Sequence, residues 1–183
     1  MKITLSTPEI QVSPDILLKE LTAADAQIIF DTIDAQRSYL GEWLPFVPFT
    51  TDVSFTEAFV NTYVGSPRNN PTFTIWYKGA FAGLIGFKDS DYDNEKTEIG
   101  YWLSEAFQHK GIVTLACQKL IEFAFDELQM NRIQIKVAEA NTKSRSIPER
   151  LGFCLEGIER CGEKHANGYF DLCVYSLLKN GNL

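Results

Sequence analysis

A segment near the middle of the chain, residues 98–113, constrains the fold more than any other. It has the pattern of a strand that ends at Leu103, a short polar hinge, and a helix that Gly111 opens and that continues to about Leu128. A glycine turn before a helix presents unpaired backbone N–H groups and the positive end of the helix dipole. The segment therefore predicts either a phosphate site, with Lys110 beside it, or an ordinary strand-to-helix connection.

Composition and charge narrow the class of protein. The chain has 183 residues, 45 % of them hydrophobic, which is enough for one domain that buries roughly 70 % of its unfolded surface. The net charge of −7 and the pI near 4.9 argue against direct nucleic-acid binding, because contacts to phosphates require clustered Lys and Arg. An acidic surface favours a cationic acceptor, such as an amine or a basic protein tail.

Compartment and metal content follow from two further features. Residues 1–13 contain no apolar run suited to a signal peptide, and no run reaches the ~18 residues of a membrane span, so we expect a cytoplasmic protein without membrane contact. The sequence has only two histidines and four cysteines without a C-x-x-C pair. We therefore expect buried, reduced thiols and no zinc site. The cysteines are Cys117, Cys154, Cys161 and Cys173.

Hydrophobic periodicity predicts one mixed α/β domain over residues 1–183, with residues 1–13 as a peripheral segment. Strands are predicted at residues 16–21, 72–77, 81–87, 96–103, 131–138, 153–160 and 169–178. Helices are predicted at residues 22–33, 52–63, 112–128 and 145–151, and polar turns or loops at residues 65–71, 89–94, 141–144 and 162–168. The helix at residues 112–128 has an apolar stripe of the kind that packs on a sheet. Gly83 and Gly86 predict a bulge or a close backbone approach. Residues 39–49, rich in aromatics, form either core cover or a pocket wall.

Several segments resemble the GNAT N-acetyltransferases. Residues 108–113 match the family turn Q/R-x-x-G-x-G/A, except that Val113 stands where the family has a small residue. The bulkier side chain can tighten or shift the pyrophosphate cradle, or be tolerated, since helix N-termini bind through backbone groups. The closer resemblance is to the ribosomal-protein N-terminal serine/alanine acetyltransferases. It rests on residues 39–45, 99–103, 141–153 and 155–157.

The resemblance implies a GNAT fold, α/β (α+β), with a mixed central sheet of about seven strands flanked by helices. It also implies acetyl-CoA as donor, an amine as acceptor and no metal. Asn141 matches the position that binds the pantetheine arm in the family, although from the residues alone it is a turn residue before a helix. The implied cofactor-binding residues are Trp102, Leu103, Gln108, Lys110, Gly111, Ile112, Val113, Asn141 and Ser144.

The resemblance also implies the catalytic groups. The tyrosine acid that many GNAT enzymes carry falls on Pro148 and is absent. The ribosomal-protein branch has a serine instead, at Ser144, which is expected to pass a proton to the thiolate, to act as an N-cap, or both. Its general base matches Glu163, which from the residues alone is a solvated turn charge in the loop at residues 162–168.

The acceptor is predicted from position and from the cost of deprotonation. By their matched position in the resembled family and their residue type, Tyr39 and Trp43 are expected to line the acceptor slot, and Glu42 to meet the cationic amine. At pH 7 an α-amine costs about 1.4 kcal/mol to deprotonate, and a lysine about 4.6 kcal/mol. We therefore expect transfer to a protein N-terminus, a ribosomal protein being the family's suggestion. The alternatives are a small amine (an antibiotic or a polyamine) or a CoA-binding module without turnover. A homodimer through the strand edges after Phe153 is also open.

Overall fold

The computed structural model describes residues 9–64 and 70–181. Within these ranges the strands form one mixed sheet of eight, in the order β1-β2-β3-β4-β5-β6-β8-β7. The strands are β1 (Glu9–Ser13), β2 (Ile16–Glu20), β3 (Thr72–Tyr77), β4 (Ala80–Asp91), β5 (Lys96–Leu103), β6 (Arg132–Ala138), β7 (Cys154–His165) and β8 (Gly168–Leu178). The helices are α1 (Ala26–Asp34), α2 (Arg37–Leu40), α3 (Val53–Tyr63), α4 (Ile112–Asp126) and α5 (Thr142–Arg150). Three short 3₁₀ turns are Ala23–Asp25, Val47–Phe49 and Glu105–Phe107.

The sheet has one strand more than the sequence predicted. The predicted peripheral segment contains β1, which pairs antiparallel with β2 and whose Ile10 and Val12 pack against the core. Residues 1–8 and residues 65–69 of the predicted turn lie outside the described ranges. The predicted turn at residues 89–94 is also too long, because β4 continues to Asp91 across a register shift after Lys88.

Helices cover the sheet on both sides. The apolar stripe predicted at residues 112–128 lies on α4 and is buried in the larger core cluster. Four of its residues have no exposed surface: Ala116, Cys117, Leu120 and Ala124. The smaller cluster packs α1 and the aromatic segment onto the other face through Ile29, Leu40, Val47 and others. None of the helices within the described ranges is long and apolar enough to cross a membrane.

The four cysteines are free thiols, but two are not buried. Cys117 and Cys173 lie in the core, whereas Cys154 and Cys161 are exposed. Both exposed residues lie on β7, an edge strand at the end of the sheet order. The prediction of buried thiols is therefore wrong for this pair, because the outer side of an edge strand has no covering layer.

Two adjacent strands diverge in the middle of the sheet. The parallel pair β5 and β6 is hydrogen-bonded only where Lys96, Thr97 and Glu98 face residues 132–134. Beyond Glu98, β5 continues to Leu103 paired with β4 but without a β6 partner, so a gap opens between β5 and β6. Close approach of the neighbouring strand supports β5 there, since a Cβ on Gly83 would lie 2.2 Å from the Trp102 carbonyl oxygen. The gap opens towards the N-termini of α4 and α5.

Candidate active site

The N-terminus of α4 faces this gap with unpaired amides. Gly111 has a φ of 70°, which places it in the left-handed region and turns the chain into the helix. The first helical hydrogen bond runs from the Leu115 amide to the Gly111 carbonyl at 3.0 Å. The amides of residues 112–114 therefore precede the helical ladder and are directed towards an incoming anion.

Val113, the departure from the family turn, lies beneath this site. Its side chain is 7 % exposed and packs in the larger core cluster. The bulk is therefore accommodated in the core, while the amide remains at the helix terminus. Of the two alternatives, this placement favours the one in which the helix terminus tolerates Val113 without a narrower pyrophosphate cradle.

A first cavity of about 530 Å³ lies in front of the helix terminus. It is lined by all of the predicted site residues except Glu163, together with the edge of β5 and the first turns of α4 and α5. The exposed backbone of β5, the three amides at the start of α4 and the basic side chains of the lining suit an extended molecule that carries phosphates. We refer to it as the donor cleft.

Two basic residues of the donor cleft were missed in the sequence. Lys143 donates to the Gln108 side-chain oxygen at 3.5 Å, and Arg150 donates to Thr114 Oγ1 at 3.0 Å. They are seven residues apart on α5, on the side that faces the start of α4. The predicted helix began at residue 145, which put Lys143 in a turn and hid this spacing.

Ser144 lies in the first turn of α5, at the inner end of the donor cleft. Its N-cap is Asn141, whose side-chain oxygen accepts a hydrogen bond from the Ser144 amide at 3.1 Å. The alternative that made Ser144 the N-cap is therefore wrong, because the helix begins three residues earlier than predicted. Ser144 Oγ instead donates to Tyr101 Oη at 3.3 Å, and Tyr101 Oη donates to the Ser144 carbonyl at 3.2 Å.

The environment of Tyr101 keeps its hydroxyl protonated. Burial raises the pKa of Tyr101 far above the usual value for a phenol. The side chain therefore orients Ser144 as a neutral hydrogen-bonding group. The pairing joins positions that are 43 residues apart, which explains why periodicity along the chain did not reveal it.

Glu163 lies on a strand and is paired with a histidine. The loop predicted at residues 162–168 is wrong, because β7 continues to His165 across a bulge at Cys161, which has a φ of 53°. Glu163 Oε2 lies 2.7 Å from His165 Nε2. His165 is 8 % exposed, so the carboxylate has a buried partner and stands on a strand and not in a turn, although the Glu163 side chain remains 35 % exposed.

Aromatic contacts connect this pair to the predicted acceptor segment. The His165 ring meets Phe170 edge-on, with centroids 4.3 Å apart, and Phe170 lies 6.1 Å from the Trp43 ring. Trp43 and Glu163 both line a second cavity of about 530 Å³. We refer to it as the acceptor cavity. It shares Trp43, Leu44, Tyr101, Trp102, Asn141 and Ser144 with the donor cleft.

Tyr39 and Glu42, predicted to bind the acceptor, line the donor cleft and are not among the described residues of the acceptor cavity. Tyr39 Oη accepts a hydrogen bond from Gln108 Nε2. Burial raises the pKa of Tyr39, and the negative charges of Glu105 and Glu42 raise it further. Tyr39 therefore anchors the glycine turn in its neutral form, and Trp43 is the predicted acceptor residue that lies in both cavities.

A divergent mixed sheet with an anion-binding helix terminus in the gap, beside a serine and a carboxylate, defines a CoA-type acyltransferase. The chain belongs to the family described as acetyltransferase (GNAT) domain, whose model matches residues 15–154. The protein is accordingly an N-acetyltransferase. Within the described ranges there is no group of three or more His, Cys, Asp or Glu side chains that could hold a metal ion.

Three similar proteins illustrate the range of the family. The putative ribosomal N-acetyltransferase YdaF of Bacillus subtilis (strain 168) is 38 % identical over 176 residues, 92 % of this chain and 94 % of that protein. The ribosomal-protein-serine acetyltransferase of Escherichia coli (strain K12) is 27 % identical over 172 residues, 93 % and 96 % of the two chains. The crystal structure of the microcin C7 self immunity acetyltransferase MccE in complex with acetyl-CoA and AMP has a TM-score of 0.88 at 30 % identity, covering 97 % and 98 %.

Proposed function

We propose that this N-acetyltransferase moves an acetyl group from acetyl-CoA directly to the N-terminal α-amine of a protein. One observation carries the proposal. Ser144 lines both the donor cleft and the acceptor cavity, whereas Glu163 lines the acceptor cavity and not the donor cleft. A thioester in the first space and an amine in the second would therefore meet beside a hydroxyl and a carboxylate.

The donor cleft supports acetyl-CoA. The amides of residues 112–114 and the positive end of α4 suit the pyrophosphate, and Lys110, Lys143 and Arg150 add cationic side chains on the same cleft. The edge of β5 beyond Glu98 has no β6 partner and offers backbone groups to the pantetheine arm. The complex of MccE with acetyl-CoA supports the same donor for this chain.

The proposed reaction uses Glu163 and Ser144 in turn. Glu163, oriented by His165, takes a proton from the ammonium directly or through water, and the neutral nitrogen attacks the thioester carbonyl. The C–N bond forms and the C–S bond breaks. Ser144 turns its Oγ–H from Tyr101 Oη to the departing sulfur and relays to it the proton that the attacking nitrogen loses, so that CoA leaves as the thiol. The Tyr101 hydroxyl keeps its hydrogen bond to the Ser144 carbonyl.

An α-amine fits this machinery better than a lysine. A single carboxylate has to offset only about 1.4 kcal/mol of deprotonation for an α-amine at pH 7, against about 4.6 kcal/mol for a lysine. The names of the B. subtilis and E. coli relatives suggest a ribosomal protein as the acceptor.

The test compares acetylation of two peptide sets with acetyl-CoA. One set begins with a free Ser or Ala and contains no lysine; the other has the same sequences with a blocked N-terminus and one internal lysine. We expect acetylated product from the first set, with mass spectrometry locating the acetyl group on the α-nitrogen. Transfer to lysine alone would remove the α-amine from the proposal, and binding of CoA without transfer to any amine would favour a binding module.

A second candidate acceptor is a small amine. It is favoured by the similarity to MccE, whose structure is a complex with both acetyl-CoA and AMP. A panel of aminoacyl nucleotides, aminoglycosides and polyamines, run beside the peptides, separates the two by kcat/KM.

Compartment and assembly extend the proposal. The exposed thiols of Cys154 and Cys161 suit the reducing cytoplasm. The edge strand β7, with Leu155 and Ile158 about half exposed, suits a homodimer. Sedimentation at micromolar concentrations tests the dimer, and a monomer would contradict it.

A further inference from the structure

Aromatic side chains at the acceptor cavity remain exposed although they are large and apolar. Phe46 is 41 % exposed, Phe49 63 %, Phe55 47 % and Phe59 37 %. All four line the acceptor cavity, as does Tyr63. Single exposed apolar residues are ordinary, whereas several around one cavity indicate a contact surface. We call these five residues the aromatic rim.

Packing of the fold does not account for the four phenylalanines of the rim, whereas Tyr63 is partly buried against the smaller core cluster. On α3 the core positions are Thr56 and Val60, both buried, and Thr56 Oγ1 donates to the Ala26 carbonyl at 3.0 Å. Phe55 and Phe59 each lie one residue earlier, four residues apart, so they form a separate stripe on the helix. The rings of Phe59 and Tyr63 continue it, with centroids 4.9 Å apart. The helix α3 therefore has two apolar sides: one packs on the core, and the stripe of Phe55, Phe59 and Tyr63 lines the acceptor cavity.

The charges around the same cavity restrict what can lie in it. Among the described residues that line it, Glu163 is the one acid, and the bases are Lys88 and Lys136. Both lysines already have carboxylate partners, Glu98 at 2.8 Å and Glu159 at 2.9 Å. One ammonium can thus be placed at Glu163, while a second or third positive charge would lie among apolar rings and lysines. This distribution disfavours a polyamine.

From the rim and the single acid together, we infer that the acceptor is a protein N-terminus with a large apolar side chain at position two, three or four. The amine occupies the side of the cavity at Glu163, and the apolar side chain packs on Phe55, Phe59 and their neighbours. The continuity of the rim with the cavity that contains Glu163 is the basis for this occupant. The inference rests on the proposed function and adds the class of acceptor sequence to it.

The test measures kcat/KM for peptides that differ at a single position. Starting from one soluble peptide with an N-terminal Ser and Asn at positions two, three and four, each Asn is replaced in turn by Leu, which has a similar size. One methylene group in an apolar pocket is worth about 10- to 200-fold in kcat/KM. We expect Leu at one of these positions to raise kcat/KM at least tenfold, mainly through a lower KM.

Variants connect the preference to the rim. Phe55→Ser and Phe49→Ser, each at an exposed position, are expected to reduce the Leu-to-Asn ratio to below about threefold, through a higher KM for the Leu peptide. Leu115→Ser is the matched control, because Leu115 is 40 % exposed on α4 and lines neither cavity. Thermal unfolding of each variant verifies the fold.

The outcomes distinguish the inference from the proposed function. Equal kcat/KM for all peptides, or an unchanged ratio in both rim variants, would overturn the apolar acceptor and leave α-amine acetylation in place. Transfer to spermidine but to no peptide would overturn both. If the wild type sediments as a dimer that Phe55→Ser dissociates, without a change in the peptide ratio, the rim is an interface between two copies and the inference fails.

Discussion

Replacing Glu163 with Gln tests the base and keeps the shape of its side chain. Glu163 is the one acid among the described residues that line the acceptor cavity, so no neighbour there replaces it. General base catalysis contributes about 10²- to 10⁴-fold, which corresponds to roughly 3–5 kcal/mol of transition-state stabilisation. We expect Glu163→Gln to lower kcat/KM for the acceptor peptide by this factor at pH 7.

Raising the pH should restore a defined part of this loss. An α-amine with a pKa near ~8 is about 10 % neutral at pH 7 and about 90 % neutral at pH 9. The variant should therefore regain roughly tenfold between these values, beyond any change in the wild type, and keep the remaining deficit because proton transfer still lacks its acceptor. Release of the CoA thiol gives the rate, and the KM for acetyl-CoA is the control, since Glu163 does not line the donor cleft.

A double-mutant cycle with His165 completes this test. A hydrogen bond to a charged group is worth about 1.5–3 kcal/mol, so His165→Asn should lower kcat by roughly 10- to 100-fold through misplacement of Glu163. If His165 acts through Glu163, the double variant is no slower than Glu163→Gln alone. Multiplied losses would refute the coupling, and a wild-type rate in Glu163→Gln would refute the assignment of the base.

Three further changes address the rest of the site and the sheet. Ser144→Ala should lower kcat by about 10- to 100-fold with the KM for acetyl-CoA unchanged, because it removes the hydroxyl bonded to Tyr101. In steady-state kinetics, a rise in this KM without a fall in kcat would contradict the role of Ser144. Arg150→Ala should weaken CoA binding by about tenfold in calorimetry, and less at high salt, while Lys119→Ala, outside both cavities, should not. Hydrogen bonds from Arg132 and then Ser176 lower the pKa of Glu156 to about 2. A lowered carboxyl pKa stabilises the fold above the ordinary value near 4.5, and the gain is lost as the pH falls through about 2. Glu156→Gln should therefore cost about 1 kcal/mol at pH 7, the exposure of the pair being allowed for, and little once the pH is below about 2. A difference in the free energy of unfolding that stays constant with pH would contradict this role of Glu156.

Local patterns predicted the parts of the fold whose signals lie close together in the chain. The glycine turn and the α4 stripe were correct, because Gly111 and a helical period of buried residues act over a few positions. The start of α5 was missed, because Asn141 caps the helix three residues earlier than its polar composition indicated. That boundary decided whether Ser144 was an N-cap and whether Lys143 shared a helix face with Arg150.

Features that depend on strand pairing were harder to predict. Gly162 and Gly168 indicated a loop, yet pairing with β8 holds Glu163 and His165 on one side of a bulged strand. The bulge places a non-glycine residue, Cys161, in the left-handed region, where its amide donates to the Asp171 side chain at 2.7 Å. Such a bond between strands leaves no periodic mark in the sequence. Tyr101 and Ser144 likewise meet only through the tertiary fold.

The strand order has a consequence for biosynthesis. The last strand, β8, is inserted between β6 and β7 and pairs antiparallel with both. During translation β7 therefore has no neighbour in the sheet until β8 has left the ribosome, and Glu163 cannot take its place before then. A nascent chain that ends before Gly168 would already contain the turn of α4 and still lack the strand that pairs with Glu163, the proposed base. The proposed base is therefore held in place only after β8 has been made.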